Sequence, residues 1–182
     1  MEPRNVWWVG PFQMRQIMVG VPLFAVIGWI AAQLPQLRIG GYELWPAIAV
    51  VPLTGLLGGP VVGFCVGALG HALLGLVVGQ VSWPLTLATG VVGLVSGLKR
   101  TEWNHHLPTL TDAIINGVSA LAGIIAGLLT YMVLLLVAGH GRYAVAESFW
   151  RLLMAWGVPA IVVAPAILQL LPWWRWSRKR KV

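Results

Sequence analysis

Charge is what this sequence has least of. Only 9% of the residues are Asp, Glu, Lys or Arg, where an ordinary soluble domain carries about 25%. Five are acidic, and no H-E-x-x-H, G-x-S-x-G or G-x-x-x-x-G-K-[ST] arrangement occurs. The chain therefore lacks the carboxylates, the nucleophile turn and the phosphate cradle on which hydrolases and nucleotidases are built. A membrane enzyme fits poorly, and any ATP-derived energy has to come from another protein. The single cysteine, Cys65, excludes a disulfide framework and a cysteine metal site, and reads as a small packed hydrophobe. No low-complexity linker, soluble domain or convincing internal repeat is present, so the expectation is one integral membrane domain over 1–182, with 1–13 a leader and 172–182 a basic tail.

What fills the chain is apolar. Hydrophobic residues make up 58% and the mean hydropathy is +0.82. The stretch from Pro60 to Leu98 carries His71 as its only titratable group apart from Cys65. Hydrocarbon offers backbone groups no water, so such a stretch has to satisfy them inside helices, and its glycines let neighbouring helices approach closely. The fold class is all-α, a polytopic membrane protein with six transmembrane helices. The spans are placed at Met14 to Leu34, Leu44 to Leu57, Pro60 to Val78, Trp83 to Leu98, Ala113 to Ala138 and Phe149 to Leu171. The second and fourth are shorter than the ~20 residues usually needed to cross, and Pro46 and Pro52 weaken the second as a helix.

Orientation follows from the basic residues. With a cytoplasmic amino terminus, Arg4, Arg15, Lys99, Arg100, Arg175, Arg178, Lys179, Arg180 and Lys181 fall inside, leaving Arg38, Arg142 and Arg151 outside. The positive-inside bias places both termini in the cytoplasm of a multi-pass cell-membrane protein. The net charge of +7 is concentrated in the tail. Interleaved with Trp173, Trp174 and Trp176, that charge reads as an interfacial anchor beside lipid headgroups rather than a nucleic-acid site.

The core G-P-x-V-G-F-x-V-G-x-x-G-H-A-L, matched from Gly59 to Leu73, with a tryptophan-initiated helix ending GLVSGL, resembles the substrate-binding S components of energy-coupling-factor (ECF) vitamin transporters. The nearest branch consists of uncharacterised membrane proteins, and the likeness covers Gly20 to Leu98. The resemblance implies capture of a vitamin or vitamin precursor from outside, with transport only in company with a transmembrane T component and two ATP-binding subunits. It also implies contact with the T component through a small-residue face of the first helix, here Val21, Ala25, Gly28 and Ala32. Two departures stand out. Leu74 and Gly75 replace an acidic residue usual after the G-H-A-L element, and the first helix departs from the pattern in having Pro22 and no alanine-x-x-x-alanine pair.

Each candidate site residue has a competing reading. Gly63, Gly67 and Gly70, like Ser119, Gly123 and Gly127, form small faces that helix packing alone explains. His71 either contacts substrate or bridges helices through a hydrogen bond. His105 and His106 are adjacent, without cysteines or carboxylates at ligand spacing, and no metal or cofactor is expected. Tyr42, Trp45, Trp83, Tyr131, Glu147, Trp150 and Arg151 cluster toward the outward end. Aromatic rings beside one acid and one base suit a heteroaromatic ligand, against the alternative of an interfacial aromatic belt. A structural or assembly subunit without ligand remains the other function class.

Overall fold

The computed structural model describes residues 7, 9–33, 38–39, 42–99 and 110–179, with the side chains of 38–39, 42–43, 142, 144, 164–165 and 168–179 left aside. Arg4, Arg100, Glu102, His105, His106, Arg180 and Lys181 lie outside the described residues.

Among the described residues six α-helices follow one another: α1 (Pro11–Gln33), α2 (Val50–Gly58), α3 (Pro60–Val78), α4 (Trp83–Gly97), α5 (Leu110–Val137) and α6 (Arg142–Lys179). A 3-10 turn at Pro46–Ala49 leads into α2, and a short antiparallel ladder, Arg38–Ile39 with Tyr42–Glu43, lies between α1 and that turn. The all-α polytopic architecture stands. Four segments are long and apolar enough to cross a bilayer, namely Pro11–Gln33, Pro60–Val78, Leu110–Val137 and Val145–Val163, while Pro46–Gly58 and Trp83–Gly97 are shorter. Helix α3 has the sequence-placed bounds, whereas α6 begins seven residues before the expected Phe149, at Arg142.

The turns explain where helices stop. Gly79 ends α3 with φ 79°; its N–H reaches the Leu76 carbonyl and that of Gln80 the Gly75 carbonyl at 2.8 Å. Gly139 repeats the arrangement after α5, with φ 84° and bonds to Leu136 and Leu135. In both, a left-handed residue lets the chain satisfy carbonyls that the helix end would strand.

Close contacts fix the directions. A Cβ on Gly20 would meet Val66, one on Gly70 would meet Phe24, and one on Gly28 would meet Leu74, a constant offset that makes α1 and α3 parallel. Gly97 faces Gly59 and Pro60, while Gly67 faces Thr89, so α4 runs against α3. Gly123 faces Ser96 and Gly127 faces Ala88, so α5 runs against α4. With α6 returning along α5, the start of α1 and the end of α6 share one end of the bundle.

The α3–α4 seam is backbone on backbone. A Cβ on Gly63 would fall on the Gly93 carbonyl, and one on Gly67 on that of Thr89. That proximity lets the Thr89 hydroxyl donate to the Gly67 carbonyl at 3.0 Å, across the seam. The buried core runs through Phe24, Ile48, Val51, Val62, Val66, Val92, Ile124, Leu128 and Trp156. Outside it, Met18, Val19 and Val26 on α1 and Ile114, Val118, Leu129 and Val133 on α5 are exposed. Stripes this apolar face lipid rather than water.

Candidate functional site

One layer of the bundle collects aromatic and polar side chains from five segments. Phe24 comes from α1, Trp45 from the residue before the 3-10 turn, His71 from α3, Thr86 from the first turn of α4, and Trp156 from α6. The Trp45 and His71 rings meet edge to face, with centroids 5.6 Å apart. Trp45 stacks on Trp156 at 6.4 Å and 21°, and Phe24 closes the side with an edge contact to Trp45 at 6.3 Å. His71 Nδ1 and Thr86 Oγ1 lie 3.2 Å apart, a buried hydrogen bond. The α4–α5 register puts Tyr131 level with Thr86, and Tyr131 packs half-buried against the core.

Two sequence features build this layer. Pro159 has no N–H, so the carbonyl of Ala155, four residues earlier, loses its helical donor. The backbone N–H of Trp45 takes that place, donating to Ala155 at 3.0 Å and tying the entry segment to α6 beside Trp156. Gly70, next to His71, is the second. Phe24 occupies the space that a Cβ there would need, so α1 seats its ring against the histidine at 6.4 Å.

The layer contains an unmet donor. Trp156 is 0% exposed, and its Nε1–H has no hydrogen-bond partner among the described residues. Leaving a buried donor unsatisfied costs about 1 to 3 kcal/mol. A bound molecule presenting an acceptor would recover that cost. The arrangement offers flat faces, the hydrogen-bonding side chains of His71, Thr86 and Tyr131, and one open N–H.

Of the residues singled out from sequence, the structure gathers Trp45, His71 and Tyr131. The others lie apart. Trp83 is 67% and Trp150 58% exposed, and Glu147 and Arg151 form an exposed ion pair one helical turn apart. The backbone of Tyr42 lies in the ladder, and its side chain is outside the described residues. On α1, Ala25 and Gly28 are buried, Gly28 against Leu74 and Ala47, with Val21 half-buried and Ala32 exposed.

Phe24, Thr86 and Trp156 are absent from the sequence reading. A signal for Trp156 existed. Val145, Phe149, Leu152, Trp156 and Ala160 recur at helical spacing and form the inward stripe of α6, which turns Glu147, Trp150 and Arg151 away from it.

These features define a polytopic helical membrane protein with an enclosed aromatic layer beneath the segment that joins its first two helices. The chain belongs to the family described as the ECF-type riboflavin transporter, S component, whose family model matches residues 12–172. That is a transporter-component family, not an enzyme family. Among curated proteins, it is 31% identical over 96 residues to a UPF0397 protein of Lactobacillus delbrueckii subsp. bulgaricus, covering 52% of this chain and 50% of the relative. It is 38% identical over 81 residues to a UPF0397 protein of Streptococcus thermophilus, covering 44% and 43%. With a UPF0397 protein of Vibrio atlanticus it shares 36% over 116 residues, covering 60% and 55%. The matches thus span about half the length of these curated relatives. No solved structure matches the chain.

Proposed function

We propose that this protein is the substrate-capturing membrane subunit of an ECF-type importer, in a prokaryotic cell membrane with both termini cytoplasmic. It takes a vitamin-like heteroaromatic molecule from outside into the Phe24, Trp45, His71, Thr86, Tyr131 and Trp156 layer. The buried, unpartnered Trp156 N–H among stacked rings is the observation that carries this reading. A structural subunit would gain nothing from leaving that donor open. Family membership supports the same class.

The orientation rests on the basic residues at the end of the bundle where α1 starts and α6 finishes. The aromatic layer then sits toward the outer face, below the ladder of residues 38–43. Tyr42, Trp83, Glu147, Trp150 and Arg151, at that same end, form the rim past which ligand enters. Release inward requires a T component and two ATP-binding subunits, since the chain has no phosphate loop of its own. The T component docks along α1 at the small-residue face of Val21, Ala25, Gly28 and Ala32, of which Ala25 and Gly28 also set how closely α1 packs within the bundle.

The test is titration of the purified chain with riboflavin, the compound in the family description, alongside thiamine and pyridoxine. One of them should bind saturably and quench tryptophan emission, because Trp45 and Trp156 would stack on it. Trp45→Ala and His71→Ala should each weaken binding at least tenfold. Saturable binding untouched by both substitutions would move the site elsewhere; no binding by any heteroaromatic vitamin would favour the assembly subunit.

A further inference from the structure

The tail of α6 plays no part in the ligand site, and its position in the fold suggests another role. Between Arg151 and Arg175 the sequence has no charged residue, and the 20 residues Leu152 to Leu171 rise about 30 Å as helix, the thickness of the hydrocarbon core. Helix α6 does not stop there but continues to Lys179. Its last two turns therefore emerge at the level of the lipid headgroups.

Those turns are sided. At about 100° per residue, positions 175, 178 and 179 fall on one side of the helix and positions 173, 174 and 176 on the other. The first set is Arg, Arg and Lys, and the second is three tryptophans. The helix directions bring exposed Arg15 of α1 and exposed Lys99, just past α4, to the same end of the bundle. Among the described residues, Asp112 is the one acidic residue at that end.

We propose that this end of the molecule, centred on Arg175, Arg178 and Lys179, is a binding surface for anionic phospholipid headgroups. Tryptophan rings favour the interface between acyl chains and headgroups, and clustered arginine and lysine attract lipid phosphates that carry net negative charge. Each basic residue near an anionic surface adds about fivefold to the partition at moderate salt, so three together make the preference measurable.

The experiment uses the full chain in a neutral detergent, offered equal amounts of phosphatidylglycerol and phosphatidylcholine, with retained lipid read by native mass spectrometry. The expected result is at least fivefold selective retention of phosphatidylglycerol, falling with added salt. The triple change Arg175→Gln, Arg178→Gln and Lys179→Gln should remove most of that selectivity. The charge-preserving set Arg175→Lys, Arg178→Lys and Lys179→Arg should keep it, which separates lost charge from a disturbed helix. Equal retention of the two lipids by the unaltered protein would overturn the proposal, leaving the tail for a protein partner. Full selectivity in the glutamine variant would overturn it too, as would displacement by millimolar glycerol 3-phosphate, which would mark a soluble-phosphate site.

Discussion

The backbone N–H of Trp45 donates to the carbonyl oxygen of Ala155, 3.0 Å away, a carbonyl left without its helical donor by Pro159. One proline in α6 thus fixes the position of a tryptophan more than a hundred residues earlier in the chain. In hydrocarbon, neither group has water to fall back on, so the bond is the means by which both are satisfied.

Pro159→Ala would give α6 a competing N–H for the same carbonyl. The Trp45 amide should then exchange with deuterium faster in the variant, and ligand affinity should drop several-fold as the Trp45–Trp156 stack loosens. Hydrogen exchange read by mass spectrometry on the peptide containing Trp45 checks this, and unaltered exchange would show that the tie does not hold the entry segment.

Trp156→Phe keeps an aromatic face but removes the unpartnered N–H. If that donor serves a ligand, the two readouts move in opposite directions. Ligand-free thermal stability should stay level or rise, because an unsatisfied donor costing about 1 to 3 kcal/mol has gone, while affinity should fall about tenfold, or 1.4 kcal/mol. A parallel fall in both would assign Trp156 to packing alone.

Gly67→Val should be among the most damaging single changes in the chain. Its Cβ would fall on the Thr89 carbonyl, and backbone cannot step aside as a flexible side chain can. Overpacking commonly costs about 1 to 3 kcal/mol, and here the Thr89-to-Gly67 hydrogen bond goes as well. The measurement is the yield of monodisperse protein and its melting temperature, with Gly141→Val, at a glycine with open space around it, as the comparison.

Glu147→Gln separates rim from scaffold. The Glu147–Arg151 pair has side chains 67% and 71% exposed, so it contributes only about 0 to 1 kcal/mol to stability. The melting temperature should barely move. Ligand affinity should weaken if the pair lines the entry, and an affinity within twofold of the unaltered protein would return Glu147, with Trp150, to the interfacial belt.

Topology has its own check. In a Cys65→Ala background, a cysteine at Gly141 should react with an impermeant reagent added outside, and one at Asn104 should not. The reverse pattern would invert the bundle.

Composition and spacing determined the coarse architecture. The scarcity of charge and the apolar runs between turn residues mark six helices, and Pro60, Gly79 and Trp83 punctuate α3 and α4 closely enough to give their bounds. Those signals are local, set by backbone chemistry within a few residues. Trp45 and His71 were conspicuous as well, a histidine in an apolar span and a tryptophan beside a turn, and the structure packs their rings together. What only the tertiary structure decided is which side of each helix faces inward. Glu147, Trp150 and Arg151 share a face of α6 in sequence and stay together in space, but the stripe through Phe149 and Trp156 is the one that packs. The glycines of α1 are a parallel case: a small-residue face reads alike whether it meets a partner or a neighbouring helix, and contact of Gly28 with Leu74 depends on α1 and α3 lying parallel. Phe24, Thr86 and Trp156 join Trp45 and His71 only because five segments converge at one depth, and no single segment encodes that convergence.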